Sequence, residues 1–333
     1  MIRPSWRRAS ILLALAVLVL AGARAATWAS PQVDERSPAA TPSRAAAKAG
    51  AQRAGTAAGA GAQRRAGAAA DPVVAAAGDI APDETGGHDR STSDRVLAIN
   101  PDAVLALGDD QYPDGAVEDF QRYYDTTWGR FKDKTKPAPG NHEYETDAAA
   151  AGYFDYFGAA ARPNGTSFYS FDLGGWHLVS LDSNIDHDAG SQQEQWLRAD
   201  LAATTKPCVL AYWHHPRFTS GTEHGNDESV GPFWSDLYEA KADLVLNGHE
   251  HQYERFGPQN PDAGADPHGI REFVVGTGGK SLYGFGSPDP NSEFRDNSNF
   301  GVLELTLHPG TYDWRFVSES GAVVDSGGPV ACH

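Results

Sequence analysis

Asp243-Leu244-Val245-Leu246-Asn247 runs directly into Gly248-His249-Glu250-His251-Gln252-Tyr253-Glu254-Arg255. The first five residues read as a short buried strand. Two histidines spaced two apart on a continuing strand would point to opposite faces. A bend just after Asn247 would instead aim both imidazoles at one region, and imidazole suits zinc, iron and similar metals. The company of this segment gives it weight. Upstream stand Gly78-Asp79, Gly108-Asp109-Asp110-Gln111-Tyr112, Gly140-Asn141-His142-Glu143 and His214-His215-Pro216. Each offers a metal donor, and each follows an apolar, strand-like run.

Those runs also predict the architecture. Val73–Ala77, Ala103–Leu107 and Cys208–Trp213 are apolar without alternation, as expected of central strands covered on both faces. Ser91–Ile99, Ala116–Trp128, Ser191–Ala203 and part of Asp227–Lys241 read as helices. Ser191 with Glu194 three residues on is a capping-box signal. Ser167–Asp172 and Trp176–Leu181, joined at Gly174-Gly175, read as a hairpin. Glu272–Val275, Val302–Leu307, Thr311–Val317 and Ala322–Asp325 are further strand candidates. The expected fold is a layered α/β arrangement of two mixed sheets flanked by helices. Its polar residues collect at strand ends, where ligands bind in such folds.

The chain has 333 residues. Residues 1–25 read as an export signal: Arg3, Arg7 and Arg8, an apolar stretch from Ile11 to Ala21, and Ala23-Arg24-Ala25 as a cleavage site. That apolar stretch is short of the roughly 20 residues a bilayer demands, so no membrane insertion is expected after cleavage. Residues 26–71 are rich in Ala, Gly, Ser and Pro and read as a flexible tether. The folded unit is expected over residues 72–333. Net charge is −17; without the four arginines of residues 1–25 it is −21, and residues 72–333 alone carry −24. No basic stripe exists for nucleic acid, and an anionic substrate would need positive charge supplied locally, with bound metal the obvious source. Cys208 and Cys332 are the two cysteines, and in an exported chain a disulfide between them is expected.

The ordered set of Asp79, Gly-Asp-x-x-Tyr at 108–112, Gly-Asn-His-Glu at 140–143, His-x-Pro at 214–216 and Gly-His-x-His at 248–251 resembles the calcineurin-like metallophosphoesterases. Tyr112 narrows the resemblance to the purple acid phosphatase type. Relatives outside that branch carry a histidine two residues after the first aspartate, and here Ala81 stands there. The resemblance spans about residues 72–320 and implies a sandwich of two mixed sheets around a dinuclear metal site. One metal would take Asp79, Asp109, Tyr112 and His251, and the other Asp109, Asn141, His214 and His249, with Asp109 as the bridge. The His-x-Pro spacing favours His214 over His215, which remains the competitor and otherwise a pocket or packing residue. By the same resemblance His142 faces substrate and donates a proton or a hydrogen bond, and His224 lines the pocket. Arg217, which follows His-x-Pro, is a candidate phosphate clamp, since a guanidinium can grip two oxygens, and the loop Gly257–Gly269 is a candidate for the pocket edge.

Phosphate ester hydrolysis requires charge stabilisation while a hydroxide attacks in line, and two metals about 3.5–4 Å apart supply both. The resemblance thus implies an exported phosphatase acting on small phosphate monoesters. Its metals would be iron(III) on the tyrosine side and a divalent iron, zinc or manganese on the other. A phosphodiesterase with the same centre is one alternative, and a catalytically silent surface-binding protein on this fold is another.

Overall fold

The computed structural model describes residues 70–83 and 86–333. The expected export signal and nearly all of the expected tether lie outside the described residues. No helix among the described residues is long and apolar enough to cross a membrane.

Two mixed sheets carry the architecture, as expected. The six-stranded sheet is ordered β13 (Val323–Ala331), β12 (Thr311–Ser318), β11 (Gly301–His308), β1 (Val73–Ala77), β2 (Ala103–Leu107), β3 (Thr135–Ala138). Within it β1, β2 and β3 run parallel, and β11 pairs antiparallel to β1. The seven-stranded sheet is ordered β10 (Ser292–Asp296), β8 (Tyr253–Phe256), β9 (Arg271–Val275), β7 (Leu244–Asn247), β6 (Cys208–Tyr212), β5 (Trp176–Ser180), β4 (Tyr169–Leu173). Here β5, β6, β7 and β9 are parallel, and the β4–β5 hairpin closes one edge.

Side-chain alternation explains why these runs are apolar throughout. Cys208, Leu210 and Tyr212 of β6 face the core shared with the other sheet. Val209, Ala211 and Trp213 face the opposite layer, with Leu197, Leu201, Phe233, Trp234 and Leu237. Those last five come from α4 (Gln192–Ala203) and α5 (Gly231–Glu239). β5, β7 and β9 divide in the same way. A strand covered on both faces carries no polar side, so period-2 patterning vanishes from its sequence.

Three expectations need correction. Ala116–Trp128 is not one helix: α2 spans only Val117–Arg122, and 3₁₀ turns follow at Tyr124–Thr126 and Trp128–Lys134. Gly257–Gly269 does not edge the pocket. It joins the end of β8 to the start of β9, away from the end of the sheet where His251 precedes β8. The capping box at α4 is half formed: Ser191 Oγ accepts from Glu194 N at 3.2 Å, but Glu194 turns its carboxylate to Gly190 N. The Cys208–Cys332 disulfide is present and anchors the C-terminal segment to the start of β6.

Candidate metal centre

All five parallel-strand exits named by the sequence open at one end of the sandwich. Asp79 follows β1, Asp109 follows β2, Asn141 follows β3, His214 follows β6 and His249 follows β7. The two sheets are joined there by backbone hydrogen bonds from Gly78 N to Val275 O at 3.0 Å and from Gly278 N to Gly78 O at 2.9 Å. Asp79, Asp109 and His249 all adopt left-handed backbone angles, with φ of 60°, 51° and 70°. That conformation is costly for non-glycine residues and persists where the surroundings over-determine it. Its effect is to turn the chain out of the strand so that the side chain faces inward. At His249 it supplies the bend that brings His249 and His251 to one region. Glycine is required at 140, where a Cβ would lie 2.1 Å from Asp109 Oδ1.

Two groups of donor atoms share one carboxylate. Asp79 Oδ1 stands 2.9 Å from Tyr112 Oη and 3.1 Å from His251 Nε2. Tyr112 Oη is 3.0 Å from His251 Nε2 and 3.1 Å from Asp109 Oδ2. Across Asp109, Oδ2 is 3.3 Å from His214 Nε2. His214 Nε2 is 3.1 Å from both Asn141 Oδ1 and His249 Nδ1. Neighbouring donors on an octahedral ion with bonds of about 2.1 Å lie about 3.0 Å apart. Spacings of this size among oxygen and imidazole donors fit two metal ions on either side of Asp109. His214, fully buried, makes the contacts to Asn141 and Asp109. His215 also stands close, with one ring nitrogen within 4.8 Å of ring nitrogens of both His214 and His249 and its ring centroid 4.4 Å from that of His249.

Electrostatics point the same way. Burial first, then the charges of Asp109 and Asp79, push the Tyr112 phenol well above its usual 10. A phenol wedged against two buried carboxylates surrenders its proton only to a cation. Burial opposes the Asp109 carboxylate, but His214 outweighs it and holds the group below its normal range. Burial opposes the charge of His214, but Asp109 holds it up at about 9, a proton that a metal ion at Nε2 would displace. Burial, then His214 and His215, push His249 down, leaving the neutral imidazole that metal binding uses.

The two histidines expected to face substrate lie beside these donor groups. His142 Nε2 is 3.8 Å from Asp109 Oδ2, and its Nδ1 donates to Pro113 O at 2.5 Å. His224 is exposed and stacks on His249 with centroids 4.0 Å apart. Arg217 does not serve as a phosphate clamp. Its guanidinium pairs with Glu228 at 2.8 Å and stacks over Phe218.

Sequence reasoning missed the residues that hold the donors. Glu143 accepts four backbone N–H groups: Asp109 and Gly140 on Oε2, Asp110 and Gln111 on Oε1. Its place in the Gly-Asn-His-Glu motif was the available signal. Glu250, between the two histidines, accepts the N–H groups of His224 and Gly225 at 2.7 Å each and so holds that loop over His249. Ser281 Oγ meets His251 Nδ1 at 2.8 Å, and Tyr283 stacks on the same ring at 3.9 Å.

A family model described as calcineurin-like phosphoesterase matches residues 73–253. Purple acid phosphatase 15 of Arabidopsis thaliana is 31% identical over 245 residues, covering 62% of this chain and 44% of the relative. Probable purple acid phosphatase 20 of the same plant is 32% identical over 263 residues, covering 72% and 59%. The chain spans about half the length of the curated relatives it matches. Among solved structures, purple acid phosphatase PPD1 from yellow lupin seeds superposes with a TM-score of 0.64 at 20% identity, over 77% of this chain and 53% of that one. PhoD superposes with a TM-score of 0.55 at 15% identity, over 75% and 66%. These superpositions speak to the fold alone.

Proposed function

This chain belongs to the calcineurin-like phosphoesterase family, and from that premise we propose that it is an exported dinuclear metallophosphatase of the purple acid phosphatase type, hydrolysing small phosphate monoesters. The observation that carries the reading is the shared carboxylate: Asp109 Oδ2 touches both Tyr112 Oη and His214 Nε2. Asp79, Asp109, Tyr112 and His251 would hold an iron(III). Asp109, Asn141, His214 and His249 would hold a divalent iron, zinc or manganese. Two such ions supply neutralisation of the phosphoryl oxygens and acidification of a water molecule.

The chain's own residues do the rest. Tyr112 gives the first position a hard anionic donor suited to a trivalent ion. Asn141 gives the second a neutral amide oxygen, which withdraws less of the ion's charge than a carboxylate would. His142 has Nδ1 engaged by Pro113 O, so Nε2 is the nitrogen presented to substrate, placed to protonate the leaving oxygen. His224, held over His249 by Glu250, lines the pocket. Residues 72–333 form the catalytic unit, preceded by an export signal at 1–25 and a tether at 26–71.

The test is metal analysis, visible spectroscopy and a panel of phosphate monoesters and diesters on the purified protein. The proposal expects two metals per chain, a visible iron–phenolate band and faster turnover of monoesters. A colourless protein with zinc in both positions removes the iron–tyrosinate assignment. Preference for diesters removes the substrate class, and no hydrolysis at all favours a binding protein.

A further inference from the structure

We infer that His215 donates a hydrogen bond from Nε2 to the phosphoryl group, and that Ser183 is the positioning residue that holds its Nδ1 and so presents Nε2. The inference rests on the phosphatase reading above and adds a substrate contact to it.

The argument starts at two strand ends. His215 follows His214 at the exit of β6, and Ser183 lies three residues beyond β5, the parallel neighbour of β6. His215 is half-buried, whereas His214 is fully buried, so His215 stands on the solvent side of the centre. One of its ring nitrogens lies within 4.8 Å of ring nitrogens of both His214 and His249. Its backbone is pinned by Trp213 Nε1, which donates to His215 O at 2.7 Å.

Ser183 decides the tautomer. Its Oγ accepts the backbone N–H of His215 at 3.3 Å and lies 2.7 Å from His215 Nδ1. Ser183 is 6% exposed, and these are the partners of its hydroxyl among the described residues. If Nδ1 carried the proton, Oγ would accept twice and its own hydrogen would be left buried without an acceptor. The satisfied arrangement has Ser183 Oγ–H donating to Nδ1. Nε2 then carries the ring proton and is the nitrogen left free for a group bound at the centre.

The chemistry selected is an anionic phosphoryl oxygen, on a monoester or on the inorganic phosphate product. The rival role for His215 is a direct metal ligand. Both are separated by measuring metals per chain and the dissociation constant of inorganic phosphate, by calorimetric titration of the metal-loaded protein. His215→Ala should keep two metals and bind phosphate about 10- to 100-fold more weakly, the cost of losing one hydrogen bond to a charged group. His215→Gln places an amide nitrogen where Nε2 stood and should recover most of that loss. Ser183→Ala should weaken phosphate binding in the same direction by a smaller factor, with Ser183→Thr restoring it. These two variants carry the test if His215→Ala does not fold. Loss of a metal in His215→Ala or His215→Gln makes His215 a ligand and overturns the inference. Unchanged phosphate affinity with two metals bound overturns it as well, leaving the phosphatase reading intact. A wild-type protein that binds neither metal nor phosphate overturns both.

Discussion

Glu143→Gln is the substitution that probes how the donors are held. The carboxylate is buried and accepts four backbone N–H groups, at 2.9 and 2.7 Å on Oε2 and at 2.9 and 3.2 Å on Oε1. These four amides belong to the loop carrying Asp109 and to the residue before Asn141. A glutamine oxygen can serve two of them; its NH₂ faces the other two, donor against donor. Two orphaned donors cost about 2–6 kcal/mol, and turning two charge-assisted bonds into neutral ones costs about 2 kcal/mol more. Against this, burial first and the charge of Asp109 second push Glu143 up to about 7. Relief of that strain returns about 3 kcal/mol at neutral pH. The hydrogen-bond loss wins, for a net destabilisation of about 1–5 kcal/mol. Because the loss falls on the two donor loops, metal affinity should also drop about 10- to 100-fold. Denaturant titration and chelator competition measure the two effects. Wild-type stability together with wild-type metal retention would refute the idea that Glu143 ties the loops together.

Three further expectations follow from other parts of the molecule. Cys332→Ser opens a loop closed over a sequence separation of 124, for which chain entropy gives about 5 kcal/mol; an unchanged denaturation midpoint in unreduced protein would count against it. His177 bridges Asp172 and Asp200 at 2.9 and 2.8 Å, and although burial disfavours its charge, the hydrogen bonds to Asp200 and Asp172 raise its pKa above 6.5. Its contribution is therefore complete below pH 6.5 and fades as pH rises through the folded value, so His177→Gln should cost about 1–3 kcal/mol at acid pH and little in alkali; a pH-independent cost would contradict this. His142→Ala should retain both metals while turnover falls roughly 10²–10⁴-fold, least for esters with good leaving groups; loss of a metal would show His142 to be a ligand or its support.

Much of this site was legible in the chain because its donors sit where apolar runs stop. Asp79, Asp109, Asn141, His214 and His249 each close a short strand, so the end of a run marks a position as well as a residue type. What stayed hidden depends on contacts between distant segments. Glu143 reaches residues up to 34 positions away, and Ser281 meets His251 from 30 positions on; no local period records such pairs. β8 escaped notice because Glu254 is fully buried within it, its carboxylate satisfied by Ser220 and Ser292. Arg217 looked like a clamp by its place after His-x-Pro, but an acidic neighbour, Glu228, claims it. The long helix expected over Ala116–Trp128 breaks into shorter turns as Phe120, Tyr124 and Tyr156 pack face and edge on one another. Tertiary packing there overrides propensity.

The central claim is that one carboxylate, Asp109, joins two metal positions. An anomalous-scattering crystal structure of the purified protein tests it most directly. The account predicts two metal peaks about 3.5–4 Å apart, one beside Asp79, Tyr112 and His251, the other beside Asn141, His214 and His249, with Asp109 touching both. A single peak, or a second peak ligated by His215 in place of His214, would contradict it.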